Sequence, residues 1–170
     1  MSANFSSSSS SDFHAGASGE PVLIQPHGKI LYIEDQEMNQ LLMEAQLASM
    51  PGITLIKAST GAEGVRMARS EKPDLVLLDM HLPDFGGLEV VRALMMEISN
   101  GLKVALLTAD TLSMDIIKAM SLGAYEYWVK PLDRKHLEDG VRRALCGGGA
   151  DPRHRLPSSR GPGLAPAPDR

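Results

Sequence analysis

Five short apolar runs alternate with longer segments in which apolar residues recur every three or four positions. The runs are 29–33 (KILYI), 53–57 (ITLIK), 75–79 (LVLLD), 103–108 (KVALLT) and 125–129 (YEYWV). Each has the length of a strand. Three are almost continuously hydrophobic, as a strand covered on both faces must be. Between the runs the spacing predicts helices. Met38, Leu41, Leu42, Ala45 and Ala48 form one apolar stripe, and Val65 and Ala68 belong to a second that opens on a Thr60–Glu63 capping box. Leu88, Val91, Leu94 and Ile98 form a third, Ile116, Ile117 and Met120 a fourth, and Leu137, Val141 and Leu145 a fifth. Strand–helix alternation repeated five times predicts a five-stranded parallel α/β sheet with helices on both faces.

Ligands of such sheets bind beyond the carboxyl ends of the strands, so the residues at those ends carry the chemical information. The first run ends in Glu34-Asp35, the third in Asp79, the fourth in Thr108 and the fifth in Lys130-Pro131. Three carboxylates, a hydroxyl and an ammonium are therefore expected on one rim. Crowded carboxylates repel one another and invite a proton or a cation. Hard oxygen ligands with open coordination positions suit Mg²⁺. A pure metal site gains nothing from a facing lysine, whereas a site that also receives a phosphoryl group needs its charge. A carboxylate can itself be the nucleophile and form an aspartyl phosphate. Phosphoryl transfer asks mainly for positioning and charge neutralisation, which metal, hydroxyl and lysine supply.

Composition narrows the alternatives. The chain has 170 residues, 43% of them hydrophobic and 22% charged, enough for one domain with a real core. Seventeen basic against 21 acidic residues give a net charge of −4, carried by residues 27–146, which excludes a protein built to coat nucleic acid. Residues 1–26 are Ser-rich and residues 147–170 are rich in Gly, Pro and Arg, and both are expected to be disordered tails. The start lacks a basic, apolar leader, and no apolar run is long enough to span a membrane, so a cytoplasmic protein is expected. A single cysteine, Cys146, excludes an internal disulfide, and the five dispersed histidines show no zinc spacing. The nucleotide-binding pattern G-x-x-x-x-G-K-[ST] is absent. The loop after the first run is acidic where a flavin site needs a Ser/Thr/Gly-rich one. A haloacid-dehalogenase-type phosphatase needs Asp-x-Asp, and Asp79-Met80-His81 lacks the second aspartate. The 24 residues after Cys146 are too few for a helix-turn-helix, so direct control of transcription is not expected.

The residues ILYIED, DLVLLDMHLPDFGG, VALLTA and GAYEYWVKPLD together resemble a response-regulator receiver domain of two-component signalling, over about 120 residues. The resemblance implies the receiver, or flavodoxin-like, fold with strand order 2-1-3-4-5. It implies that Asp79 accepts a phosphoryl group from a sensor histidine kinase or a phosphotransfer protein. Mg²⁺ would be held by Asp35, Asp79 and the backbone carbonyl of His81, with Glu34 acting largely through water. Thr108 would bond one phosphoryl oxygen, Ala109 would leave room for it, and Lys130 would pair with another. The Lys130-Pro131 bond would be cis. Tyr127 takes the switch-aromatic position, coupled to Thr108. Together they would remodel the face made by the Ile116–Met120 stripe, the Tyr127 strand and the Leu137–Leu145 stripe. That face would meet an unknown output protein or a second copy of the chain. No dedicated substrate is implied beyond the chain's own phosphorylation and slow dephosphorylation. The alternative within the family is the receiver part of a hybrid sensor kinase, or a phosphate relay. Gly86-Gly87 departs from the more usual Asp-Gly. The His81 side chain reads as an exposed loop residue, and Trp128 as core, because Tyr127 beside it must face the other way.

Overall fold

A computed structural model describes residues 25–109 and 113–147. Apart from residues 25, 26 and 147, the two expected tails lie outside the described residues. Five strands form, β1 (Gly28–Ile33), β2 (Ile53–Ala58), β3 (Leu75–Asp79), β4 (Lys103–Thr108) and β5 (Glu126–Val129). Six helices accompany them, α1 (Glu37–Leu47), α2 (Gly61–Glu71), α3 (Gly87–Ala93), α4 (Met95–Ser99), α5 (Met114–Ser121) and α6 (Arg134–Leu145). All strand pairs are parallel and the order is β2-β1-β3-β4-β5. The apolar runs thus become strands, with shifts of one residue at three ends.

Alternation along the central strands divides the core in two. Leu31, Ile33, Val76, Leu78, Val104 and Leu106 face α2 to α5. Ile30, Tyr32, Leu75, Leu77, Ala105, Leu107 and Trp128 face α1 and α6. Every residue of β3 is buried, which is why that run is continuously hydrophobic until its last position, Asp79. The Thr60 hydroxyl accepts from Glu63 N (3.1 Å) and opens α2 as expected, while the Glu63 carboxylate reaches back to Ser59 N (2.9 Å).

Two expectations are corrected. The third stripe is two helices, not one. The backbone turns at Leu94 (φ −96°, ψ 10°), whose fully buried side chain anchors the junction. The stripe on α1 is also on the wrong face. Met38, Leu41, Leu42, Ala45 and Ala48 are exposed, and the helix instead buries Gln40, Met43 and Leu47. Gln40 wins a buried position by bonding: its Nε2 donates to the Glu34 carbonyl at 2.6 Å and contacts Ser59 Oγ at 3.3 Å. A polar residue seated by the strand ends rotates the helix and turns an apolar row outward.

This orientation has a measurable consequence. Met38→Lys and Leu42→Lys should each change the unfolding free energy by no more than about 0.5 kcal/mol. Leu47→Ala should cost about 2–5 kcal/mol, as truncation in a packed core does. Urea unfolding of the three variants checks it, and a large loss in Leu42→Lys would contradict the orientation.

Candidate functional site

Parallel pairing brings the carboxyl ends of β1, β3, β4 and β5 to one edge. Ile33 pairs with Leu78, Asp79 with Leu107 and Thr108 with Val129, so the residues that follow or end these strands meet. Lys130 N donates to Thr108 O (2.8 Å), which keeps the last strand end on β4, and the Lys130-Pro131 peptide bond is cis. Lys130 Nζ lies 3.0 Å from Asp79 Oδ1 and 3.3 Å from Glu34 Oε2. Glu34, Asp79 and Thr108 are buried, and Asp35 is exposed. One oxygen from each of Glu34, Asp35 and Asp79 lies within 4.8 Å of the others. Four of the sequence-predicted residues, Glu34, Asp35, Asp79 and Lys130, therefore form one cluster, and Thr108 ends the strand beside Asp79.

The two buried carboxylates differ. Burial is the largest influence on each and pushes both upward. At Asp79 it wins: the carboxyl stays above its ordinary range, with the Glu34 charge adding to the effect and Lys130 and the His81 amide only partly opposing it. At Glu34 it loses: the Lys130 charge, the Gln36 amide, and the Tyr32 and Asn39 side chains hold the carboxyl below its ordinary range. Environment thus sets two similar groups apart.

The other predicted residues fall around this cluster. His81 is exposed, and its backbone amide is directed at Asp79. Ala109 lies in an exposed bend directly after Thr108. Tyr127 is half-buried against the core on the α2–α5 side. Gly87 is required: a Cβ there would meet the Met80 Cα at 2.9 Å and the Asp79 carbonyl at 3.0 Å, so the loop after Asp79 closes tightly on the strand.

Three supports escaped the sequence reading. Asp84 accepts from Gly61 N (2.9 Å) and Ala62 N (2.8 Å), tying the loop after Asp79 to the start of α2. Gln40 fixes the Glu34 carbonyl. Tyr32 Oη donates to Glu34 Oε2 at 2.9 Å. The last was findable, since Tyr32 and Glu34 are two apart and a strand places such residues on one face. Beside Lys130 a groove of about 410 Å³ is bordered by Leu42, Met43, Leu107, Pro131 and Leu132. Leu42 also belongs to the outward apolar row of α1.

Known proteins are similar to this chain in sequence and fold. The family model described as the response regulator receiver domain matches residues 30–142. The alkaline phosphatase synthesis transcriptional regulatory protein PhoP of Bacillus subtilis is 33% identical over 117 residues, 69% of this chain and 48% of that protein. The sporulation initiation phosphotransferase F of the same organism is 31% identical over 118 residues, 69% of this chain and 93% of that protein. Among solved structures, the receiver domain of the sensor histidine kinase PA1611 from Pseudomonas aeruginosa has a magnesium ion coordinated in its active-site cleft. It is 30% identical, with a TM-score of 0.62 over 71% of this chain and 98% of that one. The chain spans about half the length of several curated relatives it matches, PhoP among them.

The raised Asp79 carboxyl predicts a pH-dependent stability. Ionised Asp79 opposes folding, and this penalty is absent well below the ordinary carboxylate range and grows as pH rises through it toward the folded value. In Mg²⁺-free buffer at pH 7, Asp79→Asn should therefore raise Tm by about 4 °C, the shift that about 1 kcal/mol gives a domain of this size. The gain should shrink toward pH 3. Thermal unfolding across pH checks it, and a destabilised variant at pH 7 would contradict it.

Proposed function

The chain belongs to the response regulator receiver family of two-component signalling, and from that premise we propose that Asp79 accepts a phosphoryl group and Lys130 steadies it. The observation that carries this reading is the Lys130 ammonium at 3.0 Å from Asp79 Oδ1, with Glu34 and Asp35 oxygens beside it. Asp79 is the nucleophile: a carboxylate oxygen forms the O–P bond while the P–N bond of a donor phosphohistidine breaks, and the imidazole leaves with its electron pair and gains a proton. Lys130 is near enough to follow the incoming oxygens without crossing the site. Thr108, at the adjacent strand end, offers its hydroxyl to a second phosphoryl oxygen, and Ala109 adds no bulk there.

The donor set fits a divalent cation. It consists of carboxylate oxygens with no thiolate or imidazole among the described residues, it is open to water at Asp35, and it suits Mg²⁺. Asp35 and Asp79 would hold the ion, with the His81 carbonyl, and Glu34 would act through water. When bound, Mg²⁺ neutralises charge shared by the carboxylates and the transferring phosphoryl group. The donor is a histidine kinase or a phosphotransfer protein. Its docking surface is the outward apolar row of α1 with the groove at Lys130, because an exposed row of this kind beside a reaction site marks a protein contact.

Output follows from Thr108 and Tyr127. Once drawn to the phosphoryl group, Thr108 vacates space that Tyr127 turns into, biasing two packings of the α5–β5–α6 face. That face then meets an output protein or a second copy of the chain. A relay role is the second reading, favoured by the 93% coverage of a phosphotransferase. Transfer onward from Asp79 to a second phosphotransfer protein distinguishes it. No described helix is long and apolar enough to cross a membrane, which suits a cytoplasmic location for either role.

Asp79→Asn should abolish Mg²⁺-dependent phosphate incorporation from acetyl phosphate, because an amide does not attack phosphorus. Phosphate-affinity electrophoresis checks it, and labelling at the wild-type level would remove Asp79 from its role. Thr108→Ala should still accept phosphate, since Asp79 and Lys130 remain. With beryllofluoride, an aspartyl-phosphate mimic, amide NMR shifts should reach Tyr127 and α5 in the wild type and stay near Asp79 in Thr108→Ala. Shifts confined to the site in both chains would contradict the switch.

A further inference from the structure

Glu34 is fully buried, and every polar atom of its carboxylate is occupied from a different direction. Oε1 accepts from Gln36 N at 3.2 Å. Oε2 accepts from Lys130 Nζ at 3.3 Å and from Tyr32 Oη at 2.9 Å. The Tyr32 contact is the shorter of the two on Oε2, and it comes from inside the core, where Tyr32 is 2% exposed among Ile30, Met43, Leu107 and their neighbours. A buried phenol is costly unless its hydroxyl finds a partner. At this position Phe would fill the same space without that cost. The hydroxyl therefore needs a reason, and Glu34 is what it touches.

We propose that Tyr32 is a positioning residue of the phosphoryl-transfer site, its hydroxyl aiming the Glu34 carboxylate and limiting how firmly Glu34 retains Lys130. The inference rests on the reading of Glu34, Asp35 and Asp79 as the Mg²⁺ site. Two effects of the hydroxyl act in one direction. It shares Oε2 with Lys130, so the ammonium is held by a carboxylate already partly satisfied and is released more readily when a cation enters. It also fixes the carboxylate plane, so Glu34 needs no reordering at that moment. Without the hydroxyl, Oε2 loses its shorter contact and keeps the one to Lys130, so the cation must compete with a tighter pair.

The test is a double-mutant cycle read by calorimetric titration with Mg²⁺ alone, with no phosphodonor. Tyr32→Phe removes one atom and keeps the ring, and an amide NMR fingerprint checks that the core is unchanged. Tyr32→Phe should weaken Mg²⁺ binding about fivefold. In a Glu34→Gln background the same substitution should change it less than twofold, because Tyr32 acts through that carboxylate. A residue that only fills the core would shift both backgrounds equally. Mg²⁺ affinity within twofold of wild type in Tyr32→Phe, tighter binding, or an equal loss in both backgrounds would overturn the proposal. Asp35→Asn tests the underlying reading separately: if it leaves Mg²⁺ affinity unchanged, the ion is not held here and the metal site itself is wrong.

Discussion

One ammonium group lies between two buried carboxylates contributed by strands that are not its neighbours. Lys130 follows β5 at the sheet's edge, whereas Glu34 follows β1 and Asp79 ends β3, both near its centre. Burying one carboxylate costs several kcal/mol unless it is paired, and two side by side cost more. The shared lysine makes the arrangement tolerable, and the parallel sheet makes the lysine available. All the strands point one way, so a residue 96 positions after Glu34 and 51 after Asp79 reaches both. Much of the surrounding structure serves this meeting: the Lys130 N–Thr108 O bond, the tight approach at Gly87, and Gln40 on the Glu34 carbonyl.

The pairing is deliberately incomplete. Lys130 holds Glu34 below its ordinary range but leaves Asp79 above it. The site therefore retains an unsatisfied demand for positive charge at Asp79. In the proposed reading, a divalent cation held by Asp35 and Asp79 would relieve that demand. Two packed cores lie on opposite faces of the same sheet. Tyr127 belongs to one and Trp128 to the other, so in the proposed reading a change at the strand ends would reach the α5 side through Tyr127 while Trp128 stays packed toward α6.

The sheet was legible because strands buried on both faces write themselves as unbroken apolar runs, and β3 is the clearest case. The rim was legible because each run ends in a residue a packed core has no use for: Asp79, Thr108, Lys130. Strand order was not contained in those patterns and came from the resemblance. Helix orientation was less readable. On α1 the spacing of Met38, Leu41 and Leu42 is that of a buried face, yet Gln40, polar and easily assigned to solvent, took the interior through bonds to the Glu34 carbonyl at the end of β1 and to Ser59 beyond β2. Asp84 was hidden for the same reason, since its partners Gly61 and Ala62 are 22 or more residues away. The break at Leu94 leaves no mark in composition, because one apolar stripe runs through both helices.

The proposed function requires that the buried, lysine-paired carboxylate of Asp79 takes the phosphoryl bond. It is tested most directly by treating the whole chain with acetyl phosphate and Mg²⁺, reducing the acyl phosphate with borohydride, and locating the resulting homoserine by tandem mass spectrometry. The account predicts a single homoserine, at position 79. Homoserine at 35 or hydroxynorvaline at 34 instead, or no conversion under conditions that label a known receiver domain, would contradict it.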